Sequence, residues 1–340
     1  MKKILLSIIA LCCTVVAGAQ NSSQIVSAIL QTGEGDPTVF YGANALKNAC
    51  NAAENGSVIT LTSGTFNSPG NITKSVSIYG VGFEDNLTEG MQKTYITGEI
   101  SYSADSDGNP LQNIVLEGVH IESHIWVKEI SGMTIAKCRF SYLEINGAGV
   151  EAVLVRQCYL NGLDGRSNVV AGVAFKNSVL LDRIVGIPVG SQVLFDHCIL
   201  TYWYRYSSAA YHAIGSYTNC IIFNNHGLEA NSYAEKNIFL QIPERHDNII
   251  SVNNWFGINV ATLFSDGTTI DYAENRTFQL ADPDTYKGTD GTPVGVTGGD
   301  YPWYKVPSIP YVKNLNATVN GASLDVNYEA GVGSTNPPTN

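Results

Sequence analysis

The sequence predicts an all-β solenoid, one coil of short parallel strands wound around a single long core. Three observations carry that expectation: a repeat near 20 residues, strand-like alternation inside each copy, and almost no helical spacing between copies. The pattern is written eight times, at 114–121, 133–140, 153–160, 173–180, 193–200, 215–222, 232–239 and 250–256. One column reads Val119, Cys138, Cys158, Ser178, Cys198, Cys220, Asn237, Trp255, with steps of 19, 20, 20, 20, 22, 17 and 18 residues. A unit of that length cannot bury its own apolar face, so its neighbours must stack on it. Alternating apolar and polar residues within each copy mark half-buried strands. Leucine-rich repeats share the period, but their Leu lattice and fixed Asn are missing. Stacked coils would lie about 4.8 Å apart, the inter-strand spacing.

The chain divides as follows. Residues 1–19 read as a secretory signal: Lys2-Lys3, an apolar run from Ile4 to Val16, and Ala17-Gly18-Ala19 as a small-residue cleavage site. Cys12 and Cys13 raise the question of lipidation, but Leu11 is too large for the residue before a lipidated Cys. The run is short for a membrane span, and no later transmembrane segment is expected. Residues 20–41 are polar and read as a loose lead-in. Ala43 to Glu54 is the one convincing helix, with Leu46, Cys50 and Ala53 on one face and Asn55-Gly56 as its stop. Residues 42–265 make the solenoid, beginning with coils at Ser57–Phe66 and Ile72–Gly82. Residues 266–310, with their Gly- and Pro-rich run, form an irregular C-terminal cap. Residues 311–340 contribute one or two short strands and a disordered tail.

The helix followed by "I-x-L-x-x-G-x-F" and "I-x-K-S-V-x-I-x-G-x-G", then the coils, resembles the right-handed parallel β-helix of the pectin-lyase-like fold. Within it, the chain is similar to uncharacterised, non-catalytic secreted members from Gram-negative bacteria. The likeness spans roughly Ala43 to Gly299. It implies a helix covering the open end of the core, whose strand edges would otherwise invite aggregation, and a C-terminal segment wrapping the last coil. It implies little about activity, because one fold hosts many functions.

Composition narrows the partners. With 44% hydrophobic and 14% charged residues, the 340-residue chain can bury one long core. A net charge of −11 argues against nucleic acid and against polyanions held by charge alone, though not against an acidic sugar in a local basic pocket. Four of the seven cysteines fall in one column. Neighbouring-coil disulfides (Cys138–Cys158, Cys198–Cys220) fit the spacing. Stacked side chains point in parallel, however, which favours a ladder of buried free thiols with Ser178 as one step. No metal or cofactor is expected. Asp105-Ser-Asp107-Gly-Asn109 resembles part of a calcium loop, but its Gly falls two positions early and position 12 is Leu116.

Alignment of the turns after each copy proposes a ligand-binding patch. Asp182-Arg183, Tyr202-Trp203 and Asn224-Asn225 fall together. Asp164, Ile184, Tyr204 and His226 follow, and Arg205, Tyr206 and His212 overhang from an insertion. Aromatic faces cover the C–H surface of a pyranose while amides and charges fix its hydroxyls, so this set points to polysaccharide. The bland alternative is that Tyr202 to Tyr206 merely pack the insertion. A one-residue slip of register would turn the patch inward.

No catalytic set is legible. The strings Asn-x-Asp, Asp-Asp, Gly-His-Gly and Arg-x-Lys of polygalacturonase-like hydrolases are missing, as is the lyase Arg-x-Pro-x-x-Arg. Phe195-Asp-His-Cys198 resembles a lyase string, yet it occupies ordinary repeat columns. His246, in Arg245-His246-Asp247, reads as a solvated loop residue. The sequence is therefore read as an exported glycan-binding protein, secreted, periplasmic or surface-held. The alternatives are a lyase or hydrolase using Arg183, His226 or His246, and a structural module with an envelope-associated protein partner.

Overall fold

The computed structural model describes residues 26–332 except 86, 88–91, 148, 167, 202–213, 224–227, 229–230, 243–249, 268, 270–272, 275, 309 and 321–322. The expected leader and the 333–340 tail lie outside the described residues. So do the sequence-predicted site residues Tyr202, Trp203, Tyr204, Arg205, Asn224, Asn225 and His226, together with Tyr206, His212 and Arg245–Asp247.

The chain is a parallel β-solenoid of about eight turns. Each coil lays one strand in a first sheet, turns, and lays its next strand or pair of strands in a second. The first sheet runs in sequence order from Val58–Leu61 through Leu111–Glu117, Ile130–Ala136 and Val150–Arg156 to Ile250–Val252. Successive coils pair in register, for example Met133↔Val153 and Val153↔Val173. The alternation seen in sequence is therefore alternation between lumen and exterior. Ile135, Val155, Phe175, Phe195 and Tyr217 point into one continuous core. Phe175, Phe195 and Tyr217 stack face to face with centroids 5.1 and 4.9 Å apart.

The cysteines are free thiols. Their column forms an internal ladder instead of disulfides: the thiols of Cys158, Cys198 and Cys220 each donate to a backbone carbonyl about one coil back, at Ile135, Phe175 and Phe195. Ser178 and Asn237 continue the ladder by accepting from the amides of Cys158 and Cys220. The last step differs from the sequence alignment. Trp255 pairs with Ile238, so Asn254 occupies the column and bonds Asn237.

The lead-in is more ordered than its polarity suggests. Ser27–Gln31 and Thr38–Tyr41 form an antiparallel hairpin, and the former pairs antiparallel with Val58–Leu61. Ala28 and Leu30 join the solenoid core. The helix is Ala45–Ala52, burying Ala45, Leu46, Ala49 and Cys50 against the hairpin and the first coil. Among the described residues no helix is long and apolar enough to cross a membrane. Pro310–Asn320 and Ser323–Val332 pair as a separate antiparallel hairpin.

The segment after Phe256 does not simply close the end; it runs back along the side of the solenoid. Phe264, Phe278, Leu280, Val294, Val296 and Trp303 cover an outward column of the second sheet: Tyr159, Val179, Ile199, Ile221 and Ile238. That column is apolar although it faces away from the lumen, because it has a cover of its own. In the uncovered earlier coils the same column is Tyr95, His120 and Arg139.

A second row ties the segment down. The residue between the two sheets of each coil has left-handed backbone: Lys137, Gln157, Asn177, His197 and Asn219 all lie at φ between 48° and 58°. Their buried side chains meet the strap. Lys137 Nζ donates to the Val306 carbonyl (2.6 Å), Gln157 to Pro302 (2.6 Å), and Asn177 to Val296 and Gly298 (3.0 and 2.6 Å). Thr289 N donates to the Asn219 side chain (2.8 Å), and Ser308 donates to buried Glu117. A Cβ on Gly299, at φ +70°, would stand 2.6 Å from the His197 ring, which explains the glycine there.

Candidate functional site

On each early coil the second sheet bends partway along, and the outward face of its far arm gathers polar and aromatic side chains. Register places Ser101, Trp126, Glu144 and Asp164 in one outward column. A parallel column holds His124, Tyr142, Gly162 and Arg183, since Ile125 pairs with Leu143 and Leu163 with Ile184. Four strands, from Ile125–Val127 to Ile184–Val185, thus present one face about 14 Å tall.

Glu144 is its centre. Its side chain is fully buried, with Arg166 Nε 2.7 Å from one carboxylate oxygen and His124 Nδ1 3.2 Å from the other. Arg166 also reaches Asp164 (3.4 Å) and lies over the Trp126 ring, 5.1 Å from its centroid. The bond to Glu144 raises the Arg166 guanidinium above its ordinary range, opposed by burial. Arg166 supplies the hydrogen bond to this buried carboxyl group, while the oxygen facing His124 is buried without one. Trp126 donates its indole N–H to Glu99 (2.9 Å).

Tyr142 forms the second half of the face. Its hydroxyl donates to Asp182, two coils along, and its ring supports the Arg183 guanidinium at 4.7 Å. His124 meets the same ring edge-on at 5.3 Å. Burial, then the bond to the Asp182 carboxylate, pushes the phenol well above its ordinary range, so it stays a donor at neutral pH. The side chains bridge two coils because Gly162 intervenes. A Cβ there would lie 1.8 Å from the Arg183 carbonyl oxygen.

The sequence-predicted Asp182 and Arg183 are thus brought together with Tyr142, and Asp164 belongs to the same face. Ile184 does not. It pairs with Leu163 and is buried in the lumen, because one extra residue between Leu180 and Ile184 shifts the register. Asp196 ends the strand Val193–Asp196, and His197 follows it in the turn row under the strap, its Nδ1 being 3.2 Å from the Gly295 carbonyl. Asp105 spends its carboxylate on the amides of Asp107 and Asn109, as in an ordinary turn.

His124, Trp126, Tyr142, Glu144 and Arg166 escaped sequence reasoning. One signal was available: Ile125 stands between His124 and Trp126, and Leu143 between Tyr142 and Glu144, an apolar inward residue flanked each time by polar or aromatic ones. Comparison with protein-family models, curated proteins and solved structures yields no match to this chain.

Proposed function

We propose that this solenoid binds polysaccharide on the face built by Trp126, Tyr142, His124, Arg166, Asp182 and Arg183. The observation that carries the reading is the placing of two half-buried aromatic rings among hydrogen-bonding groups on adjacent coils of one outward face. Rings supply area for the apolar side of a sugar, and the polar groups fix its hydroxyls. The carboxylates Glu144 and Asp164 share one guanidinium, a pairing that serves the architecture of the face. Binding without cleavage is therefore the preferred reading. An exported protein meeting glycans outside the cytoplasm accords with the residue pattern of the leader.

The test is an array of plant, host and bacterial polysaccharides probed with residues 20–340 and with Trp126→Ala. A selective hit weakened tenfold or more by the substitution is expected, about 1.4 kcal/mol. An array on which the two proteins bind identically removes the proposal. Any polymer that binds is then assayed for new reducing ends and for unsaturated products, either of which would convert the reading to a hydrolase or lyase.

A further inference from the structure

The two arginines of the face are held differently. Arg166 is committed to Glu144 and Asp164. Arg183 stacks on Tyr142, yet among the described residues it makes no ion pair or hydrogen bond through its guanidinium. Its Nε–H is shielded from solvent and meets no acceptor among the described residues. Asp182, its neighbour in sequence, is engaged by the Tyr142 hydroxyl instead.

A buried, unmet N–H on a charged group costs free energy that a ligand acceptor recovers. A guanidinium presents its donors as a planar fork, matched to the paired oxygens of a carboxylate or sulfate. The guanidinium packs against the Tyr142 ring, 4.7 Å from its centroid, which restricts its rotamers, so less ordering remains to be lost on binding. Trp126 lies three strands away, about 14 Å along the stack of coils, in the adjoining outward column.

We infer that Arg183 grips the acidic substituent, carboxylate or sulfate, of a sugar unit in a polymer that also lies on Trp126. This rests on the glycan-binding reading and adds to it a ligand class and a residue that selects it. A strongly negative protein thereby takes an acidic polymer through one local fork.

The experiment follows the Arg Nε–H and Trp Nε1–H resonances of the whole exported chain, labelled with ¹⁵N, during titration. The probes are cellotetraose, tetragalacturonate, a sulfated tetrasaccharide and sodium sulfate, the oligomers being long enough to reach from Trp126 to Arg183. Arg183 and Trp126 signals are assigned by loss in Arg183→Lys and Trp126→Phe, variants that keep charge and ring. The expected result is saturable movement of both signals with tetragalacturonate or the sulfated tetrasaccharide, and of Trp126 alone with cellotetraose. If Trp126 answers acidic and neutral sugars alike while Arg183 stays still, the acidic-ligand inference falls and the glycan reading stands. Movement of Arg183 by sodium sulfate equal to that by the acidic sugars, with Trp126 unmoved, overturns the inference in favour of a simple anion site. Silence of both residues to every sugar overturns both readings.

Discussion

Replacing Asn177 with alanine isolates what holds the C-terminal strap to the solenoid. Asn177 is buried at φ 48° and donates to two strap carbonyls, Val296 and Gly298. Truncation leaves both carbonyls without that donor, at about 1–1.5 kcal/mol each. It also puts alanine into left-handed backbone, at about 1 kcal/mol more than asparagine. The total is about 3–4 kcal/mol against the docked strap. Asn177→Gly loses the same two bonds but escapes the backbone term, so it should cost about 1 kcal/mol less. The reporters are strap amides bonded across this region, Gly295 N to the Asn219 carbonyl and Trp303 N to Val296. Their hydrogen exchange reads the free energy of opening. With alanine, exchange of both should accelerate by about two to three orders of magnitude, and with glycine about fivefold less. If alanine changes exchange by under fivefold, the carbonyl bonds do not hold the strap. Equal effects of glycine and alanine would remove the backbone argument.

Two further predictions bear on the second sheet. Gly162→Ala places a methyl group 1.8 Å from the Arg183 carbonyl oxygen, so the strands must separate and the bond from Leu163 N (2.9 Å) is lost. A loss of about 3 kcal/mol is expected, seen as a lower Tm; a variant as stable as the parent would show that the coils give way freely. His120 has its pKa lowered to about 4, first by burial and then by Arg139 and Lys93. The unfolded chain therefore binds the proton that the folded one refuses between pH 6.5 and 4, and stability falls as pH drops through that window. The contribution is on the order of 2–3 kcal/mol. In denaturant titrations at pH 7 and pH 4, His120→Phe should lose less stability than the parent by that amount, and parallel losses would refute it.

The turn row shows how a signal can be present and still be passed over. Gly118, Asn177, His197, Asn219 and Asn253 are types that tolerate positive φ, and they fill five of eight successive steps of the row, Lys137, Gln157 and Lys236 taking the others. In sequence they read as ordinary polar positions, because nothing local says that a distant segment will lie on them. The same holds for the doublets Tyr159-Leu160, Val179-Leu180 and Ile199-Leu200. Two consecutive apolar residues announce a strand covered on both faces, but not by what.

The candidate face was half legible. Asp182 and Arg183 were found because they follow the inward residues on which the copies were aligned. Glu144, Tyr142 and Trp126 lie beyond the bend, where coils differ by a residue in length and a one-residue change exchanges lumen for exterior. Ile184 and Asn254 mark two such places.

The sequence by itself determined the solenoid, its period near 20 residues, its lumen and its thiol ladder, since each depends on alternation and repetition within a short span. The tertiary structure alone decided the path of the strap, the outward apolar column it covers, and the meeting of Trp126, Tyr142, Glu144, Arg166 and Arg183. Those depend on contacts between residues from 18 to 191 positions apart. Only chain geometry, summed coil by coil, sets which of them face one another.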